Sequence, residues 1–218
     1  FDIQPHAHSE ISKTFLFGMA LIETAAIIGL VVAFLLMVPL AKVVNPFYAY
    51  YAELGITFAV CIAGAVTGIA SSFPTQYACL SVARQPFFSQ KIRRLMLVTQ
   101  SLMQTPIIFA FIIAILIKNQ ISASNTLADC LRLLSSGLCM GLGSIGPTIG
   151  LGLFAKEVCK SVGVNRETYA RLFSFTILSE ALIESSLLFA LLVSLIILQS
   201  DVSPFATTLD GLIFLGSA

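Results

Sequence analysis

Five long runs almost free of charge dominate this sequence, and they decide what it can fold into. Between Lys13 and Lys42 the only charged residue is Glu23, and no charge falls from Leu54 to Ala83, from Leu95 to Ile117 or from Leu133 to Ala155. The fifth run, Leu172 to Ser200, carries only Glu180 and Glu184. A helix needs about 20 apolar residues to cross a bilayer, so every run is long enough. Only 11% of the 218 residues are charged, against roughly 25% in a soluble globular domain. Lipid satisfies no backbone polar group, which leaves helices or closed barrels as the spanning structures, and these runs lack the period-2 alternation of barrel strands. The expected fold class is therefore an all-α membrane protein of transmembrane helices.

The formal net charge of +1 says little, but its distribution says more. If the helices alternate in direction, Lys13, Arg84, Lys91, Arg93, Arg94, Lys156, Lys160, Arg166 and Arg171 share one side, and only Lys42, Lys118 and Arg132 the other. Cytoplasmic loops carry the excess of Lys and Arg, so the basic loops are expected on the cytoplasmic side or its organellar equivalent. Nothing in the composition points to nucleic acid. The five cysteines, Cys61, Cys79, Cys130, Cys139 and Cys159, form no CxxC pair and are read as packing residues. His6 and His8 have no Cys, Asp or Glu cluster at ligand spacing and are read as loop residues, with no metal site.

Within the runs a unit repeats. "ALIETAAIIGLVVAFLL", "SLMQTPIIFAFIIAILI" and "ALIESSLLFALLVSLIIL" align Glu23, Gln104 and Glu184, which are 81 and 80 residues apart. Eighteen positions before the first two stand "IQP", ending at Pro5, and "RQP", ending at Pro86; the third copy has "VNR", ending at Arg166. A period of two spans and their loops makes the repeat a helical hairpin. The expected division is a loop and the second helix of a first hairpin at 1–44, a second hairpin at 45–122, a third at 123–202 and the start of a further helix at 203–218. On that reading the chain is part of something longer.

The first span of each hairpin has a different texture. "GLCMGLGSIGPTIGLG" holds six glycines, which at about 100° per residue separate into Gly137, Gly141 and Gly152 on one side and Gly143, Gly146 and Gly150 roughly opposite. Small residues let helix backbones approach closely, so two small faces suggest a helix squeezed between two neighbours, as in a closed ring. The GxGxxG formed by Gly141, Gly143 and Gly146 lies inside a membrane span rather than after a strand, and is set aside as a nucleotide signal.

An acid at the bilayer centre costs about 2.5–3.5 kcal/mol on insertion scales, so an idle one would be a standing cost. A lipid-facing carboxyl is tolerable in its neutral form, which can hold a proton and release it to water or a positive charge. Glu23 and Glu184 are thus candidate ion carriers, and Gln104 is a degenerate copy. Thr24, Ser185 and Ser186 follow the acids; their hydroxyls either support the carboxyl or bond back to the carbonyl of the preceding turn. Glu180, one turn before Glu184 on the same face, is the rival for the working acid, but the register favours Glu184, since position 180 matches Met19 and Gln100; Glu180 then either tunes its neighbour or reaches the interface.

The Gly-rich span, the turn "ARQP" (Ala83 to Pro86) and the outer helix "ALIE…GLVVAFLL" together resemble the c subunit of F-type ATP synthases, the rotor-ring proteolipid, over nearly the whole chain. The resemblance implies hairpins in a ring, Gly-rich helices inside and acid-bearing helices outside. It implies a non-catalytic rotor component in an energy-coupling membrane (plasma or inner). The implied partners are other c-type hairpins, the stator a-subunit with its arginine, central-stalk subunits and the lipid bilayer. Glu23 and Glu184 match the ion-carrying carboxylate, and Arg84, Gln85 and Pro86 the loop that touches the central stalk. The c subunit is normally a single hairpin, and fusion with loss of one acid is more typical of V-type rotor proteolipids, so a V-type ion pump or a non-translocating structural derivative are the alternatives. Pro106 is expected to bend the helix that carries Gln104. Sodium-using relatives tend to carry a Gln where this chain has Leu151 and Ser71, so protons are expected as the carried ion, with no cofactor.

Overall fold

The computed structural model describes residues 7–38, 46–122 and 126–200. Pro5, His6, Lys42 and the segment 203–218 lie outside the described residues. All five expected spans are helical: α1 (His8–Met37), α2 (Pro46–Arg84), α3 (Ser89–Leu102) with α4 (Thr105–Ile121), α5 (Leu127–Gly143) with α6 (Ile145–Val164), and α7 (Tyr169–Gln199). Each span is long and apolar enough to cross a membrane, and the chain is an integral membrane protein. At about 1.5 Å per residue the 39 residues of α2 exceed a hydrocarbon core of about 30 Å, so its ends project beyond the lipid. His8 is the first residue of α1 rather than a loop residue. The chain turns into helix there because the polar stretch from His8 to Lys13 is itself capable of helix: Lys13 reaches back one turn to the Glu10 carboxylate at 2.8 Å.

Two layers form. α2 and the α5–α6 pair lie against one another as the inner layer, and α1, α3–α4 and α7 cover them. The middle outer span rests on both inner helices: α4 touches α2 and α5, and α3 touches α2 and α6. Outward faces are aliphatic and aromatic, with Leu16, Phe34, Leu182, Phe189 and Ile196 each at least 60% exposed. In water such surface would drive aggregation, whereas in a bilayer it is the lipid contact.

Glycine sets the spacing of the inner layer. Gly55 and Gly137 meet backbone to backbone, Gly141 faces the Phe58 carbonyl and Gly152 the Ala70 carbonyl, so the set Gly137, Gly141 and Gly152 lies against α2. The opposite set does not meet a second inner helix among the described residues. Gly143 faces Ala190 and Gly150 faces Ile183, both on α7, while Gly146 faces nothing within 4 Å. The second small face is thus used by the outer helix of the same hairpin. Ser136 and Ser194 add a reciprocal pair between α5 and α7, each hydroxyl donating to the other's carbonyl at 2.8 and 2.9 Å.

Both inner and outer spans break near proline. Pro106 cannot donate to the Leu102 carbonyl, and the helix is interrupted at Met103 and Gln104, as expected. The freed carbonyl accepts from the Thr105 hydroxyl at 2.7 Å instead. A second break, not expected, falls at Ser144, three residues before Pro147, where the Ser144 hydroxyl donates to the Gly141 carbonyl at 2.7 Å. Pro74 lies within an unbroken α2, so proline alone does not decide where a span divides.

Candidate ion-carrying site

The acid positions sit at one level of the outer layer, on three different helices. Glu23 is exposed on α1, Glu184 is half-buried on α7, and Gln104 is buried at the α3–α4 break. Each of the latter two reaches toward the preceding outer helix. The Gln104 amide donates to the Leu21 carbonyl of α1 at 3.0 Å. Glu184 Oε1 lies 3.1 Å from the Thr105 hydroxyl of α4. Glu23 belongs to the first described outer helix and faces outward.

The hydroxyls that follow the acid positions share one local geometry. Thr24 donates to the Leu21 carbonyl at 2.6 Å, Thr105 to Leu102 at 2.7 Å and Ser185 to Leu182 at 2.7 Å. Ser186 donates to Ile183 at 2.7 Å. Of the two uses open to these hydroxyls, Thr24, Ser185 and Ser186 make the bond back to the preceding turn, whereas Thr105 also reaches a carboxyl. A hydroxyl has one hydrogen and two lone pairs. The Thr105 hydroxyl has both the Leu102 carbonyl, at 2.7 Å, and Glu184 Oε1, at 3.1 Å, within reach of its one hydrogen, and its lone pairs can accept from the carboxyl when that is neutral.

Thr105 escaped notice in the sequence because it belongs to the hairpin that has lost its acid. The repeat register held the signal, since Thr105 occupies the place of Thr24 and Ser185. Also unforeseen is a polar knot one turn earlier. The Gln100 amide, fully buried, donates to the Ser71 carbonyl at 2.8 Å and to the Thr75 hydroxyl at 2.6 Å, fastening α3 to α2. Glu180, at the equivalent place on α7, is also fully buried, but neither of its oxygens has a partner among the described residues.

At the basic ends, Arg84 is exposed and Pro86 opens a short 3-10 turn. Gln85 turns inward and donates to the Gly163 carbonyl at 3.0 Å, tying the two inner helices, while Phe87 beside it is fully exposed. Glu10 accepts from Ser89 at 2.9 Å and from Arg93 at 3.2 Å, joining α1 to α3. Among the described residues no group of three His, Cys, Asp or Glu is placed to hold a metal ion.

Tandem helical hairpins in two layers, with a carboxyl or amide at one level of each outer helix, define the class: a multi-hairpin membrane proteolipid. The family model for the ATP synthase C subunit matches residues 54–117 and, again, 134–197, together more than half of the chain. The chain belongs to the ATP synthase C subunit family, as a tandem form. Over 71 residues it is 41% identical to the ATP synthase c subunit of Dehalococcoides mccartyi, covering 33% of this chain and 93% of that protein. It is 30% identical over 67 residues to the ATP synthase c subunit of Chloroflexus aurantiacus, covering 31% and 88%. To the chloroplastic ATP synthase c subunit of Guillardia theta it is 32% identical over 83 residues, covering 38% and 99%. The two matched segments begin at 54 and 134, an offset that places Gln104 opposite Glu184 and Gln100 opposite Glu180.

Proposed function

We propose that this chain is an ion-carrying rotor proteolipid of a membrane ATP synthase, with Glu184 and Glu23 as proton carriers and Gln104 as a position that carries none. The observation that carries the proposal is the Glu184–Thr105 contact. A neutral carboxyl can share a hydrogen bond with the Thr105 hydroxyl, which also has the Leu102 carbonyl as an acceptor, and so crosses lipid with its proton held in that contact. An ionised carboxyl would have at most the one Thr105 hydrogen against the cost of a charge in hydrocarbon. Release then needs an outside agent, water in a stator channel or the stator arginine, to stabilise the charge.

Sodium fits less well. It would need several oxygen ligands around the carboxylate, and Leu151, which offers none, fills the inner-helix position. The acid position of each later outer helix reaches back to the outer helix before it, so a hairpin preceding α1 in a ring would supply the same kind of contact to Glu23. The loops bearing Arg84 and Arg166 are assigned to the cytoplasmic side on their basic charge, with Arg84 and Phe87 exposed toward central-stalk subunits.

The test is modification of the membrane-embedded protein by a hydrophobic carbodiimide, which attacks protonated carboxyls, followed by peptide mapping. Adducts on Glu23 and Glu184 near neutral pH are expected. Their absence from both would defeat the carrier assignment.

A further inference from the structure

Glu180 has no role in the mechanism above, and its setting is unusual. It is fully buried on α7, one turn before Glu184, and neither carboxyl oxygen has a hydrogen-bond partner among the described residues. Its counterpart Gln100 is equally buried, but its amide is engaged with Ser71 and Thr75 on α2. The positions equivalent to Ser71 and Thr75, at the same offset that relates Gln100 to Glu180, are Leu151 and Ala155. Both are buried and apolar. The third hairpin therefore has a polar side chain at this level without the groups that would satisfy it.

An ionised carboxylate with no donor in an apolar contact is strongly disfavoured, and two carboxylates a turn apart on one helix face disfavour joint ionisation further. The titratable groups that interact electrostatically with Glu180 are Glu184 on its own helix and the Cys159 thiol on α6. No basic side chain among the described residues is hydrogen-bonded to Glu180, and those of the helices packed against α7 lie elsewhere. On α3, Arg93 pairs with Glu10, and Lys91 lies over Phe88 and Tyr169, with Arg94 beside them at the surface. On α6, Lys156 and Lys160 both pair with Glu157. The charged groups of α4 and α5 are engaged at the opposite end: Lys118 with the Val38 carbonyl, Asp129 with the Thr126 cap and Arg132 with the Ser200 carbonyl.

We propose that Glu180 is a second proton-holding carboxyl of the third hairpin, which keeps its own proton and donates it as a hydrogen bond to Glu184 when Glu184 is ionised. Glu180 is then a positioning residue: Glu184 gives its proton to the aqueous channel, Glu180 retains its own, and the count of carried ions does not change. The i, i+4 spacing brings the two carboxyls to one face. Ser185 gives its hydrogen to Leu182, and Thr105 has one hydrogen between Leu102 and Glu184, so an ionised Glu184 still lacks a full donor of its own, which Glu180 supplies. The second hairpin, with an amide at Gln104, has no carboxylate to stabilise, which agrees with Gln100 being spent on α2.

The inference rests on Glu184 being the carrier, and the experiment separates the two. Carbodiimide labelling of Glu184 is followed with pH in the intact membrane assembly for the wild type, Glu180→Gln and Glu180→Leu. At an alkaline pH where wild-type labelling has fallen to about a tenth of its maximum, Glu180→Leu should label Glu184 about six- to ninefold faster, because its carboxylate has lost a charge-assisted hydrogen bond. Glu180→Gln, whose amide still donates, should stay close to wild type. Slower labelling in both variants would mean that Glu180 is ionised, and unchanged labelling in both would mean that it only packs; either result overturns the proposal. If wild-type Glu184 is not labelled at any pH, the carrier reading falls, and infrared spectra then decide this one. A protonated-carboxyl carbonyl band that survives alkaline pH in the wild type and disappears in Glu180→Leu supports a proton on Glu180, and no difference between the two overturns it.

Discussion

Gly137→Ala is the most direct challenge to the packing that spaces the inner helices. An alanine Cβ at this position would fall onto the carbonyl of Gly55, with the Gly55 carbonyl carbon at 2.5 Å and its Cα at 2.9 Å. All three atoms belong to the α2 backbone, which has no rotamer to change. To restore the 3.5–4.0 Å of ordinary carbon contact, α2 and α5 must part by about 1 Å at this level. Overpacking of this kind costs about 1–3 kcal/mol, and a backbone obstacle puts it at the upper end. The gain in helix propensity from glycine to alanine, about 1 kcal/mol, offsets only part. The expected net loss is about 2 kcal/mol, near a 30-fold change in the folded ratio. Gly68→Ala, within the unbroken α2, is the control, since nothing lies within 4 Å of its Cβ, and it should be neutral or stabilising. Unfolding of the purified protein in mild detergent, by heat or by titration with a denaturing detergent, measures both. Equal midpoints for the two variants would refute the claim that backbone contact at Gly55 and Gly137 sets the spacing.

Three further outcomes concern the interhelical contacts, and a fourth the carried ion. Ser136→Ala and Ser194→Ala should each cost about 1 kcal/mol, and the double variant about the sum, because each hydroxyl donates to a backbone carbonyl that the other substitution leaves in place; no loss in either single variant would contradict the pairing. Gln104→Leu removes the amide bond to the Leu21 carbonyl and should loosen α1 by about 1 kcal/mol, detectable as faster amide hydrogen exchange confined to α1. Gln104→Glu adds a third carboxyl able to donate to the same carbonyl, so carbodiimide should modify it and the ions carried per turn should rise by about half. The work available per turn scales with that number at about 2.3 kcal/mol per charge per 100 mV, so an unchanged threshold force for ATP synthesis in proteoliposomes would show that Gln104 is a packing residue alone. Millimolar sodium should leave labelling of Glu184 undiminished, and strong protection would make sodium the carried ion.

Much of this protein is written along the chain. The charge-free runs fix five spans because no other structure satisfies a backbone in lipid, and the 81- and 80-residue offsets align Glu23, Gln104 and Glu184 because each hairpin repeats the same local problem. The break at Gln104 is legible too, since Pro106 removes one specific hydrogen bond. What the chain does not carry is the identity of the neighbour on each helix face. A 3.6-residue period separates the glycines of α5 and α6 into two sets, yet only the layering determines that one set meets α2 and the other α7. The partners of Gln104 and Glu184 lie 83 and 79 residues away on preceding outer helices. Those distances are set by the sideways stacking of hairpins, a property of several helices at once. Glu180 shows the same limit most sharply: its register is plain in the sequence, but only the packing of α7 against its neighbours makes it buried and, among the described residues, unpartnered.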